Sequence, residues 1–353
     1  MQLLLAALIA LAWREAPQKL AATYADAIEE LNEKHARAPG KVREDELEKK
    51  LPAPAHRACD ELLKLAPSEE LAQALAAAAA AAADLDLERD FEALRARLAQ
   101  IDADAAAKIG RLVSRERFQI RGTNGLDAPY LEHFADVIDL VLDAYDDEFG
   151  FAEFSKVPGK KLRVLVHLEA ALDRPPHFAP EFRFHSQIDF PVVDAEQLRS
   201  PTADGKFLFY GLCHELGHVV AMWGDRDHEA DHHAWAHYCG VAIVERLADD
   251  ARAKKLLNGL DDARWRSLTK ERAAAQGVAP STANKEGVMA LWIALHDQIG
   301  AKALGAALNA LDAKGDNLRI NAVRYYDFAH LKKALLAGAK DERAKKAIER
   351  LLP

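Results

Sequence analysis

Cysteine is scarce in this chain: Cys59, Cys213 and Cys239 are the only three among 353 residues. Three scattered thiols exclude the disulfide framework that staples small secreted domains. Long apolar runs are missing too. The run Leu3 to Trp13 is too short to cross a bilayer as a helix, and nothing else approaches that length, so no transmembrane segment is expected. Positive charge is in deficit, with 47 Lys and Arg against 56 Asp and Glu and a net charge of −9. No basic stripe offsets this balance, which argues against a nucleic-acid partner. No lysine or arginine precedes Leu3, so the positive start of a secretion signal is lacking. The length of the run and the small-x-small triplet Ala10-Leu11-Ala12 still fit a signal peptide over residues 1–16. Export, periplasmic or secreted, is therefore expected over a cytoplasmic location; the alternative is an ordinary amphipathic first helix.

Half of the residues are hydrophobic and 29% are charged, a composition that builds a globular core and rules out wholesale disorder. At this length two or three packed units are expected. Residues 17–121 read as a helical region, rich in alanine and charged residues, with Pro52, Pro54 and Pro67 marking loops. Its eight consecutive alanines, Ala76 to Ala83, predict a helix that either packs closely or acts as a spacer. The turn cluster Gly122-Thr123-Asn124-Gly125 opens a second region, 122–255. There Tyr130 to Phe149 reads as a helix, Lys161 to Leu168 as a strand, and Phe182 to Val193 as one or two more. Residues 256–353 read as a C-terminal helical region in which Glu286–Ile299 and Ala301–Leu311 form a hairpin. The expected fold class is α+β, mostly helical, with a small mixed sheet.

Chemistry concentrates in one place. Six of the fourteen histidines lie between His214 and His237, and the first two open the run His214-Glu215-Leu216-Gly217-His218. Residues four apart on a helix sit about 40° apart around its axis and roughly 6 Å along it. Both imidazoles can then reach one zinc ion from one face. Glu215 is about 100° round from His214, placed to take a proton from water at the metal as a general base. Leu208, Leu212, Leu216, Val219 and Trp223 recur every three or four residues and predict the required helix, ended by Gly224-Asp225. Gly217 inside that helix costs about 1 kcal/mol relative to alanine, so a backbone or substrate is expected close above it.

The order of small sheet, H-E-x-x-H helix and helical tail resembles the zincin metallopeptidases, in particular the gluzincin branch. A fainter likeness to the helical domain of aminopeptidase-like gluzincins runs from Lys285-Glu286-Gly287-Val288 to Leu295 and Ile299-Gly300. The resemblance implies a zinc cofactor, a peptide or protein substrate and hydrolysis of peptide bonds. It also implies a third ligand on the next helix, some nineteen or twenty residues past the second histidine. That count falls on His237, in a segment whose Trp235, Gly240 and Ala242 are similar to the gluzincin W-x-x-E-G-x-A signature. The glutamate of that signature is absent, and Cys239 stands before the glycine instead. The metzincin pattern is excluded by Ala221 and Gly224.

The third ligand is therefore open at this point. His237 leads, and His233 is one turn earlier on the same face. Asp227 has a spacing like that of the aspzincins, and Glu229 and Cys239 remain as further alternatives. Asp231 is read as the N-cap of the second helix and as an acceptor for a ligand's other ring N–H. Tyr238, Tyr325, Tyr326 and His185 are the candidate oxyanion donors, and a substrate strand is expected along His185–Val193. The competing reading is a zincin-like metal-binding or interaction protein without catalysis.

Overall fold

A computed structural model describes residues 17–27, 52–84, 87–123, 126–151, 162–168, 177–179, 187–192, 206–223, 229–257, 277–282, 284–314, 318–320 and 323–352. The signal-like run at 1–16, Asp227 and His185 lie outside them. By its contacts the chain falls into two units, Met1–Ala128 with Val157–Leu168, and Pro129–Lys156 with Glu169–Pro353. This division differs from the four stretches expected, because Leu162–Leu168 belongs with the first unit and there is no break near residue 255.

The first unit begins with helices α1 (17–27), α2 (Pro52–Lys64), α3 (Glu69–Asp84), α4 (Glu88–Ala99) and α5 (Ala103–Ile109). The alanine run is a packed helix. Ala78, Ala79, Ala82 and Ala83 are fully covered in a core with Leu62, Leu75, Phe91, Leu94 and Leu98. Methyl side chains cost no rotamer entropy on burial, so the run gains close packing cheaply. Strands β1 (Arg111–Ser114), β2 (Phe118–Thr123) and β3 (Leu162–Leu168) complete the unit. β1 runs antiparallel to β2, and β3 runs parallel to it. The expected helical region thus ends in a hairpin: Leu112, Val113, Phe118 and Ile120 bury their side chains there, and β-branched and aromatic residues favour a pleated surface.

The second unit carries the histidine cluster. Helix α6 (Ala128–Phe149) leads to strands β4 (His177–Ala179) and β5 (Gln187–Val192), which pair antiparallel. β4 lies between the two stretches read as strands, before Phe182. Helix α7 (Lys206–Val220) follows, then the short strand β6 (Met222–Trp223) and helix α8 (Glu229–Leu247). Leu212, Leu216 and Val219 are buried as the apolar stripe requires. Trp223 is not part of that stripe, because the helix stops at Val220 and Trp223 lies in β6. Helices α9 (Ala251–Leu256), α10 (Lys285–Ile299) and α11 (Ala301–Lys314) come next. Strands β7 (Leu318–Ile320) and β8 (Val323–Tyr326) interrupt the expected helical tail, which resumes with α12 (Phe328–Gly338) and α13 (Glu342–Leu351). β8 pairs parallel with β6 and antiparallel with β7.

The chain is thus mostly helical with small mixed sheets, an α+β fold. Among the described residues no helix is long and apolar enough to cross a membrane. The centre of the second unit is aromatic. Trp235 of α8 meets Trp292 of α10 edge-on at 4.7 Å, and Phe149 and Tyr238 close around them. These contacts fix α8 between α7 and α10, which positions the site.

Candidate metal centre

Two helices build the site, and a glycine brings them together. A Cβ on Gly217 of α7 would lie 2.9 Å from Ala236 Cα and 3.0 Å from Cys239 Cβ of α8. Only glycine lets α8 sit this close, so the backbone expected above Gly217 is that of Ala236. The indole N–H of Trp235 donates to the Gly217 carbonyl at 3.0 Å. On the other side Tyr145 of α6 donates its hydroxyl to the Cys213 carbonyl, anchoring α7 one residue before His214.

Across this contact the imidazoles meet. His214 and His218 of α7 are buried, His233 of α8 is half-buried, and one ligand atom from each lies within 4.8 Å of the others. His233 stacks on His214 at 5.8 Å and stands edge-on to His218 at 5.0 Å. A tetrahedral zinc holds nitrogens at about 2.0–2.1 Å, hence roughly 3.4 Å from each other. The observed bound of 4.8 Å exceeds that spacing, so the trio would have to draw in to hold an ion. A set of three imidazoles with a carboxylate nearby would suit zinc or a similar divalent transition metal. Glu215 is buried, with Oε1 3.9 Å from His214 Nε2.

His237, the leading expectation for the third ligand, is occupied otherwise. Its Nδ1 is 2.9 Å from the Tyr210 hydroxyl, and its Nε2 is 2.9 Å from Lys285 Nζ. An ammonium has donors only, so it donates to Nε2, and Nδ1 carries the ring hydrogen toward Tyr210. Neither nitrogen then offers a lone pair to a metal. The ring still lies 4.4 Å from that of His214, so His237 borders the trio.

Two further expectations are corrected. Tyr238 does not face the trio. It is fully buried among Phe149, Trp235 and Trp292, with its hydroxyl 3.0 Å from His296 Nδ1. One residue on from His237 is about 100° around the helix, which turns Tyr238 toward α10. Asp231 is not the N-cap of α8, since the helix begins two residues earlier at Glu229. Asp231 sits within its first turn, as does Glu229. Cys239 is not among the grouped ligand atoms of the described residues, and it packs at the contact with Gly217. Burial holds the Cys213 and Cys239 thiols well above their ordinary range.

β4 packs against α7 and has β5 as its only partner strand among the described residues, so β4 rather than β5 is the strand beside the site. β8 brings the backbone of Tyr325 and Tyr326 beside Met222 and Trp223, just beyond the end of α7. Sequence reasoning missed Tyr210 and Lys285 at the centre. Tyr210 was within reach, standing four residues before His214 and so on its face. No match to this chain was found among family models, curated proteins or solved structures.

Proposed function

We propose that this chain is a zinc-dependent hydrolase of zincin type that cleaves peptide bonds, with His214, His218 and His233 as the metal ligands. The single observation behind this is the meeting of three imidazoles from two helices with the buried carboxylate of Glu215 at one ligand's edge. A zinc ion bound there would lower the pKa of its water toward about 7 and polarise a substrate carbonyl.

The chain's own groups supply the rest. Glu215 accepts the proton of the attacking water and returns it to the leaving amine. Its burial excludes bulk water, which strengthens its electrostatic hold on that proton. β4, unpaired on the side away from β5 among the described residues, can take an extended peptide as an added strand. His237, held by Tyr210 and Lys285, buttresses the His214 ring. The likeness to gluzincins then lies in the helix pair, with histidine in place of glutamate on the second helix.

Elemental analysis of the purified chain, paired with mass spectrometry of a mixed peptide library, tests the reading. One zinc per chain with metal-dependent cleavage is the expected result. Stoichiometric metal without cleavage would make this a metal-binding protein, and absence of metal would end both readings.

A further inference from the structure

We propose that Lys285 is a carboxylate-recognition residue beside the three imidazoles, so that the substrate carries a carboxylate next to the bond that is cut. The inference rests on the hydrolase reading above and adds a substrate class to it.

Lys285 is the first residue of α10, where the helix dipole disfavours a cation. Its presence there calls for a cause outside the helix. Asn284 caps α10 by accepting from the Gly287 N–H at 2.8 Å, which fixes the backbone from which Lys285 projects. Its ammonium donates to His237 Nε2 at 2.9 Å, and among the described residues it makes no ion pair with a carboxylate. His237 is set in turn by Tyr210, whose ring crosses α8 at Gly240. A Cβ on Gly240 would lie 3.0 Å from that ring. Tyr210, His237 and Lys285 thus form a chain of hydrogen bonds that holds one positive charge at a chosen place.

That place is next to the metal centre, since the His237 ring is 4.4 Å from that of His214. An ammonium on one side of His237 and a divalent cation on the other would repel each other, and the repulsion is relieved when an anion comes between them. Among the described residues Glu215 is the carboxylate at the trio, and in the hydrolase reading it serves the reacting water. The anion inferred here is one that the substrate brings. Successive Cα atoms are about 3.8 Å apart, so the residue after the scissile bond carries its carboxylate roughly 4–6 Å beyond the reacting carbon. Both a free C-terminus and an Asp or Glu side chain meet this requirement. Lysine binds either as a point charge with donors to spare. In this scheme Lys285 contacts substrate, while His237 and Tyr210 are positioning residues.

Zinc-loaded full-length protein should be titrated calorimetrically with N-acetylated amino acids and tripeptides, each as free acid and as C-terminal amide. Parallel pairs with Asp against Asn and Glu against Gln separate a terminal from a side-chain source. The expected result is a preference of about tenfold or more for the carboxylate form of one source. That preference should collapse to near unity in Lys285→Met and return in large part in Lys285→Arg. Equal binding of acid and neutral forms overturns the proposal, as does a preference that persists in a folded Lys285→Met. If that variant fails to fold, the comparison on the unaltered chain decides. Binding is read without turnover. A carboxylate preference with no cleavage therefore overturns the hydrolase reading alone, and cleavage with no preference overturns this inference alone.

Discussion

The indole nitrogen of Trp235 and the carbonyl oxygen of Gly217 are 3.0 Å apart, joining the two helices that carry the imidazoles. The bond crosses the point where Gly217 admits the α8 backbone. Gly217→Ala should therefore be destabilising despite the better helix propensity of alanine. Overpacking costs about 1–3 kcal/mol, against a gain of about 1 kcal/mol. A lowered thermal midpoint together with weaker metal retention is expected. An unchanged or raised midpoint would mean that the helices have room to part.

The ligand assignment makes opposite forecasts for two neighbouring histidines. His233→Ala should lose the metal, falling from one equivalent to near zero after dialysis. His237→Ala removes only a group bordering His214, so it should keep most of its metal. Inductively coupled plasma measurements on both variants decide between them. The reverse pattern would restore His237 as the ligand.

Glu215→Gln should keep the metal and lose turnover by about 10²- to 10⁴-fold, the usual scale for a general base. Cleavage kinetics with metal content measured on the same samples provide the check. Parallel loss of metal and activity would instead make Glu215 a ligand.

Cysteine chemistry should be silent in the folded protein. Burial pushes the Cys59 thiol up to about 12, and holds Cys213 and Cys239 well above their ordinary range. Thiolate is the reactive form. Iodoacetamide at neutral pH should thus label none of the three until denaturant is added. Fast labelling of native protein at Cys213 or Cys239 would contradict the tight packing of α7 on α8.

At the C-terminal end, Asp327 caps α12 by accepting from the His330 N–H at 2.7 Å, and its other oxygen meets the His330 ring. Partial burial pushes its pKa up, but the hydrogen bonds from His330 and the charge of that ring outweigh this, and the net shift is downward. A depressed folded value means that the contribution is complete above the ordinary carboxylate pKa. It is lost as pH falls through the lower folded value. Asp327→Ala should cost about 1 kcal/mol at neutral pH, typical of a cap, and much less in strong acid. Urea melts at both pH values measure this, and an equal cost at both would refute the linkage.

Much of the second unit is legible in the residues. The stripe Leu212, Leu216, Val219 has the helical period, and the spacing of His214 and His218 puts both imidazoles on one face. His233 and His237 cannot be ranked that way, because residues four apart share a face. The choice between them depends on Lys285, which arrives from another helix 48 residues further on. β6, β7 and β8 are two to four residues long and too short for a period to show. They exist because they pair with one another. Trp223 fits a helical stripe by spacing and is claimed by Tyr326 instead. Tyr238 has the chemistry of an oxyanion donor but is turned toward Trp292 by one step of helix rotation.

The pairing of Met222 with Tyr325 also bears on how the protein matures. The segment directly after α7 finds its partner only after the ribosome has delivered about a hundred further residues. Contacts so distant in sequence form slowly. A chain cut short before β8 would thus leave β6, the strand that follows α7, without its β8 partner.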